Sequence, residues 1–120
     1  MITKKMPVVL FLSLNFMLTI PNLLLASGKI NVVATTTSLA DLANEVAKDK
    51  IHIYSIASPK QDIHHYAPTP KDILKVKKAD VLIHEGLDLE AWRGPLLDAA
   101  GNMRFLGEGQ NSIDASKGIS

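Results

Sequence analysis

Ile30-Asn-Val-Val-Ala34 is a short, β-branched apolar run, and Thr35-Thr-Thr-Ser-Leu-Ala-Asp41 comes directly after it. The first stretch reads as a buried strand. The second reads as a helix start, with Ser38 at the N-cap and an acidic residue three positions on, a variant of the capping box. Leu39, Leu42, Ala43, Val46 and Ala47 then recur at i, i+3, i+4, i+7 and i+8, an apolar helical face that ends near Lys48-Asp49-Lys50. This is one β-α unit. The fold depends on whether it repeats.

It does repeat. Ile51-His-Ile-Tyr-Ser-Ile-Ala57 is a second strand, in which His52 and Tyr54 alternate with isoleucines, so one face is partly polar or close to an edge. Thr69-Pro-Lys-Asp72 opens a second helix, with Thr69 as N-cap, Pro70 at the first helical position and Asp72 reaching back. Ile73, Leu74 and Val76 give it a buried side, and Lys75, Lys77 and Lys78 a solvated one. Ala79-Asp-Val-Leu-Ile83 is the third strand. Leu87 to Ala100 reads as a third helix, with Leu89, Trp92, Leu96 and Ala100 on one side, divided at Gly94-Pro95 and stopped by Gly101-Asn102. Trp92 is assigned to the core. Met103-Arg-Phe-Leu106 reads as a short fourth strand, and the polar, Gly/Ser-rich stretch from Gly107 as loop. The order β-α-β-α-β-α-β predicts an α/β fold: a parallel sheet with right-handed crossovers, helices on both faces and ligands at the carboxyl ends of the strands.

The chain opens differently. Lys4 and Lys5 form a basic head, Val8 to Ile20 is mostly apolar, and Pro21 and Ala26-Ser27-Gly28 close the segment. That pattern describes a secretory signal peptide over residues 1–28, cut after Ala26 or Gly28. The apolar stretch is shorter than the ~20 residues that a membrane span needs. The formal charge of +1 owes its sign to the two leader lysines. Residues 29–120 are slightly acidic, and nothing in their sequence suggests a nucleic-acid partner, which would need a clustered basic face. Their length of about 90 residues suits one small domain. With no cysteine, the product has neither disulfides nor the usual site of lipid attachment. The expectation is a periplasmic protein that is not a lipoprotein.

Gln61-Asp-Ile-His-His-Tyr-Ala-Pro-Thr-Pro-Lys-Asp72 joins the second strand to the second helix and holds two of the four histidines. Neutral imidazole is the commonest metal ligand, and Asp62 or Tyr66 is placed to orient one. Adjacent histidines often point apart, and zinc usually takes three or four protein ligands, so this loop alone makes no complete site. His84, at the end of the third strand, is a weaker candidate, either supporting a ligand from behind or lining the cleft, and His52 a strand-surface residue. No nucleophile elbow, phosphate-binding Walker loop or zinc-protease helix motif is present. An enzyme is not expected.

Taken in order, Val33-Ala-Thr-Thr-Thr-Ser38, Asp41-Leu-Ala43, Asp62-x-His64-x-Tyr66-x-Pro-Thr-Pro70-x-Asp72, Lys78-Ala-Asp80 and Glu85-Gly-Leu-x-Leu-Glu90 resemble the zinc/manganese solute-binding proteins of ABC transporters, a group that includes adhesins. The resemblance runs from about residue 30 to the end. It implies that His64, not His65, is the first metal ligand, and that the remaining ligands lie beyond Ser120. Ile63 stands where the family usually has proline. The resemblance further implies that residues 29–120 form most of the amino-terminal lobe of a two-lobed protein, with the second lobe absent. The whole would bind a divalent cation, Zn or Mn, and pass it to an ABC permease in the inner membrane. The competing expectation is a small exported α/β interaction module, or a truncated remnant, that binds no metal of its own.

Overall fold

The computed structural model describes residues 28–106 and 111–119, so the leader expected over 1–28 lies outside the described residues apart from Gly28. The elements are β1 (Ile30–Thr36), α1 (Thr37–Ala47), a 3-10 turn (Lys48–Lys50), β2 (Ile51–Ala57), α2 (Pro70–Lys77), β3 (Val81–His84), α3 (Arg93–Ala100) and β4 (Ser112–Asp114). All three strand pairings are parallel, in the order β2-β1-β3-β4. The chain moves from β1 to β2, then crosses back to β3 on the other side of β1. That reversal makes the carboxyl ends of β1 and β3 the point where such sheets open a crevice.

Consecutive residues of β1 serve opposite faces, as a strand period of two requires. Val33 packs with Ile56, Leu82, Val76 of α2 and Leu96, Leu97 and Ala100 of α3. Ala34 packs with Leu39 and Ala40 of α1, beside Ile53 and Ile83. Helices therefore cover both faces. Val33, Leu82 and Val76 are fully buried, each worth roughly 1.5–3 kcal/mol relative to exposure.

Three local expectations are corrected. First, β1 runs on to Thr36, which replaces Ser38 as the N-cap of α1: its hydroxyl accepts the Leu39 amide at 3.4 Å. On α1 only Leu39 and Ala40 are buried, while Leu42 is 64% and Val46 86% exposed, so its apolar face is wider than the sheet it meets. Leu42, Val46, Ile83 and Ile113 border an open apolar groove. Second, the third helix begins at Arg93 rather than Leu87. Gly86, Leu87 and Asp88 are all left-handed, with φ of 83°, 53° and 57°. Pro95 lies in the first turn of the helix, where its missing N–H costs nothing.

Third, Met103–Leu106 is not a strand. The Asn102 amide donates to the carbonyls of Val76 and Ala79, both at 2.9 Å, and its own oxygen accepts the Arg104 N–H. The Phe105 N–H turns back to the Asn102 carbonyl at 3.1 Å, and the Phe105 ring enters the core. These bonds hold the segment in turns. The fourth strand is Ser112–Asp114, in what reads as polar loop, paired through Leu82↔Ser112, Ile83↔Ile113 and His84↔Asp114.

Candidate metal-binding site

The loop between β2 and α2 begins with a tight turn, where Gln61 bonds Ser58 through both its backbone N–H and its side-chain oxygen. Asp62 organises the next turn. One carboxylate oxygen accepts the His64 N–H at 2.9 Å, and the other meets His65 Nδ1 at 2.8 Å. The hydrogen bond to His65, then the one from the His64 amide, lowers the Asp62 carboxyl below its ordinary value. His65 is thus turned to Asp62, and His64 stands exposed beside it.

The loop is fastened from below by Asp72. Its residue is 1% exposed, yet four donors converge on its carboxylate. Tyr54 OH, from β2, donates to Oδ1 at 2.8 Å. Tyr66 OH at 2.8 Å and the Thr69 N–H and hydroxyl, each at 2.7 Å, donate to Oδ2. The expected capping box is present, with Thr69 in turn accepting the Asp72 N–H. Burial acts to raise the Asp72 carboxyl, but the Thr69 and tyrosine hydrogen bonds outweigh it and hold it below the carboxylate range. Burial, followed by the anionic partner, pushes both phenols up to about 12. One carboxylate therefore ties strand, loop and helix together.

Trp92 adds a second fastening. It is buried, as the sequence predicts, but its indole N–H also donates to the Ile63 carbonyl at 2.6 Å, immediately before His64. Its ring meets Tyr66 edge-on at 5.1 Å. Ile63 itself packs against the core. We predict that Trp92→Phe, which keeps the packing and loses the donor, costs about 1–2 kcal/mol. Amides of residues 62–66 should then exchange faster with solvent. Unchanged exchange there would show that the bond does not hold the loop.

Beside this loop, Thr36, Ser38, Ala57, Ile63 and Glu85 line a cavity of about 550 Å3 across the carboxyl ends of β1, β2 and β3. His84 lines a different one of about 450 Å3, with Asp88, Glu90, Arg93 and Asp114. It is 5% exposed, its Nδ1 has no hydrogen-bond partner, and burial, then Arg93, pushes the imidazole below its ordinary value. His64 and His84 are thus not brought to one cavity. His52 is exposed on β2. Among the described residues, no three His, Asp or Glu side chains gather as a metal-holding group.

Sequence reasoning missed the role of Glu90. It is 5% exposed, and Oε1 accepts the Thr35 hydroxyl and the Glu85 N–H, both at 2.6 Å, while Oε2 accepts the Gly86 N–H at 3.3 Å. The Thr36 hydroxyl donates to Glu85 at 2.7 Å. These bonds clasp the left-handed turn after β3 to the end of β1. The signal was the spacing of Glu85 and Glu90 around a glycine, which is ambiguous without knowledge of the turn.

Residues 32–120 match the family described as zinc-uptake complex component A, periplasmic. The manganese ABC transporter substrate-binding lipoprotein scaA of Streptococcus gordonii is 42% identical over 79 residues, which are 62% of this chain and 26% of that protein. The lipoprotein PsaA of Streptococcus pneumoniae is 36% identical over 98 residues, covering 78% of this chain and 30% of its own. The chain thus spans less than a third of the length of these relatives. Among solved structures, the Zn(II)-bound ZnuA-like domain of Streptococcus pneumoniae AdcA superposes with a TM-score of 0.61 at 26% identity, over 78% of this chain and 33% of that one. A crystal structure of ZnuA gives 0.65 at 20% identity, over 77% and 34%, a likeness of fold. The relatives correct one expectation. They are named lipoproteins, so the exclusion of a lipoprotein, argued from the missing cysteine, does not stand. The match over residues 32–120, the parallel α/β sheet and the ordered motifs together make this chain a member of the periplasmic zinc-uptake component A family of metal-binding transport proteins.

Proposed function

We propose that residues 29–120 form the amino-terminal lobe of a divalent-metal solute-binding protein, and that His64 is its first ligand to the ion. The complete protein would bind Zn or Mn between this lobe and a second one and hand it to an ABC permease. It would do no catalysis. The observation that carries this reading is the setting of His64. It stands exposed at the carboxyl end of a parallel sheet, on a loop whose backbone is held at Ile63 by Trp92 and at Thr69 by Asp72, with the Tyr66 side chain tied to the same carboxylate. Fixing the backbone around an exposed imidazole lowers the ordering cost of metal binding. Closure of two lobes on the ion would then give the permease a liganded shape to recognise.

The test is calorimetric titration of zinc and manganese into the protein encoded by the complete locus and into its His64→Ala variant. We expect one-to-one binding weakened at least ~100-fold by the substitution, since one of about four ligands is lost. Equal binding by both proteins would remove His64 from the site. Absence of binding by either would leave the lobe a scaffold.

A further inference from the structure

Because all four strands are parallel, whatever precedes each strand is delivered to the same end of the sheet. Lys29 precedes β1, Lys48 and Lys50 precede β2, and Lys77 and Lys78 precede β3. Ile30 pairs with Ile51, which sets Lys29 beside Lys50. Asp80 and Asn31 exchange bonds of 2.8 and 2.9 Å, which draws the start of β3 level with the start of β1. Asn102, bonded to the carbonyls of Val76, Lys77 and Ala79, brings Arg104 to the same place. All six cations are exposed.

Part of this charge offsets the negative ends of the three helices, which all finish here. The neighbouring carboxylates are Asp49 and Asp80, with Glu45 and Asp98 near the ends of α1 and α3. Asp80 is engaged by the Asn31 N–H and lies 3.9 Å from Arg104. The opposite end has the reverse balance: Asp62, Glu85, Asp88, Glu90 and Asp114 stand there against Lys60, Lys71, Arg93 and Lys117. Ile30 and Met103, next in sequence to Lys29 and Arg104, are 47% and 78% exposed. Exposed cations with apolar side chains between them are what an anionic interface attracts. The chain also enters β1 at this end, through Gly28 and Lys29, so any membrane attachment at its amino terminus is made from here.

We propose that the amino-terminal end of the sheet is a docking surface for anionic phospholipid headgroups. It would hold the lobe with its histidine loop facing away from the bilayer, a resting pose that the lobe leaves to meet the permease. This goes beyond metal binding and does not depend on it.

The test is co-sedimentation of the full chain with vesicles of phosphatidylglycerol and phosphatidylcholine in equal parts, beside vesicles of phosphatidylcholine alone. The triple variant Lys29→Glu, Lys50→Glu, Lys78→Glu is compared with Lys60→Glu, Lys71→Glu, Lys117→Glu, which changes net charge equally at the other end. The apolar leader contributes alike to both, so their difference isolates the surface. We expect binding to anionic vesicles to fall at least ~10-fold in the first triple and less than ~2-fold in the second. Glutamine replacements at the same three lysines should fall between, and they serve if the reversed variant does not fold. Equal losses in both triples would reduce the effect to net charge and overturn the proposal. So would a fall in the first triple as large on neutral vesicles as on anionic ones, or binding to immobilised polyglutamate without binding to vesicles.

Discussion

Asp72→Ala should lower the stability of this lobe by about 3–4 kcal/mol, the largest loss expected from any single side chain of the loop. Four donors lose one acceptor together: two tyrosine hydroxyls, the Thr69 hydroxyl and the Thr69 N–H that opens α2. Water cannot readily take over as acceptor at a position only 1% exposed. Asp72→Asn keeps one acceptor oxygen and should cost about 1–2 kcal/mol. Urea unfolding of the three proteins checks the order. If Ala and Asn are equivalent, the charge and not the acceptor geometry holds the loop.

The same carboxylate gives a pH dependence of definite sign. Its folded pKa lies below the ordinary value of 3.8. The unfolded chain therefore binds the proton more readily, and stability falls as pH drops. The contribution is complete above about pH 4–5 and lost as pH falls through the folded value. Asp72→Asn should flatten this part of the acid limb.

Gly86→Ala should cost about 2–4 kcal/mol, from two causes that add. Gly86 has a φ of 83°, which alanine adopts only under strain. Its new methyl would also enter the space of the Asp114 carboxylate and the Ser116 hydroxyl. Asp114 does not yield cheaply, because the Ser116 N–H and hydroxyl hold it at 2.9 and 2.6 Å. The loss should appear as detachment of β4, seen as faster amide exchange at Ser112–Asp114. A Gly86→Ala protein with wild-type stability would mean that the turn rearranges freely.

Much of this was legible because the signals are local. Pro70 after Thr69, with Asp72 two residues further on, announces a capping box whatever surrounds it. The isoleucines of β2 and the valines of β1 announce strands in the same way. His64 was legible through its motif, but not the reason it is steady, since Trp92 is distant in sequence and Tyr54 and Asp72 meet across the loop from the two elements that flank it. β4 was illegible for a related reason. Ser112-Ile-Asp has no apolar period, and what makes it a strand is a partner backbone at Leu82–His84. Leu87–Trp92 carried a helical pattern that lost to the Glu90 carboxylate, which takes the amides of Glu85 and Gly86 and bends the chain into the left-handed turn.

The strand order also governs how the chain reaches this state. Of the described strands β1 is made first, and it stands inside the sheet, between β2 and β3. Its pairing Val32↔Val81 joins residues far apart in sequence, and parallel pairs can close only after a whole crossover exists. Such non-local pairing is slow, since chain entropy is lost before contacts repay it. A nascent chain emerging from its amino terminus can therefore pair β1 with β2 first, but carries its central strand with one edge open until β3 has been made. Until then Val32, Val33 and Ala34 lack the β3 neighbours Val81, Leu82 and Ile83 that complete their burial.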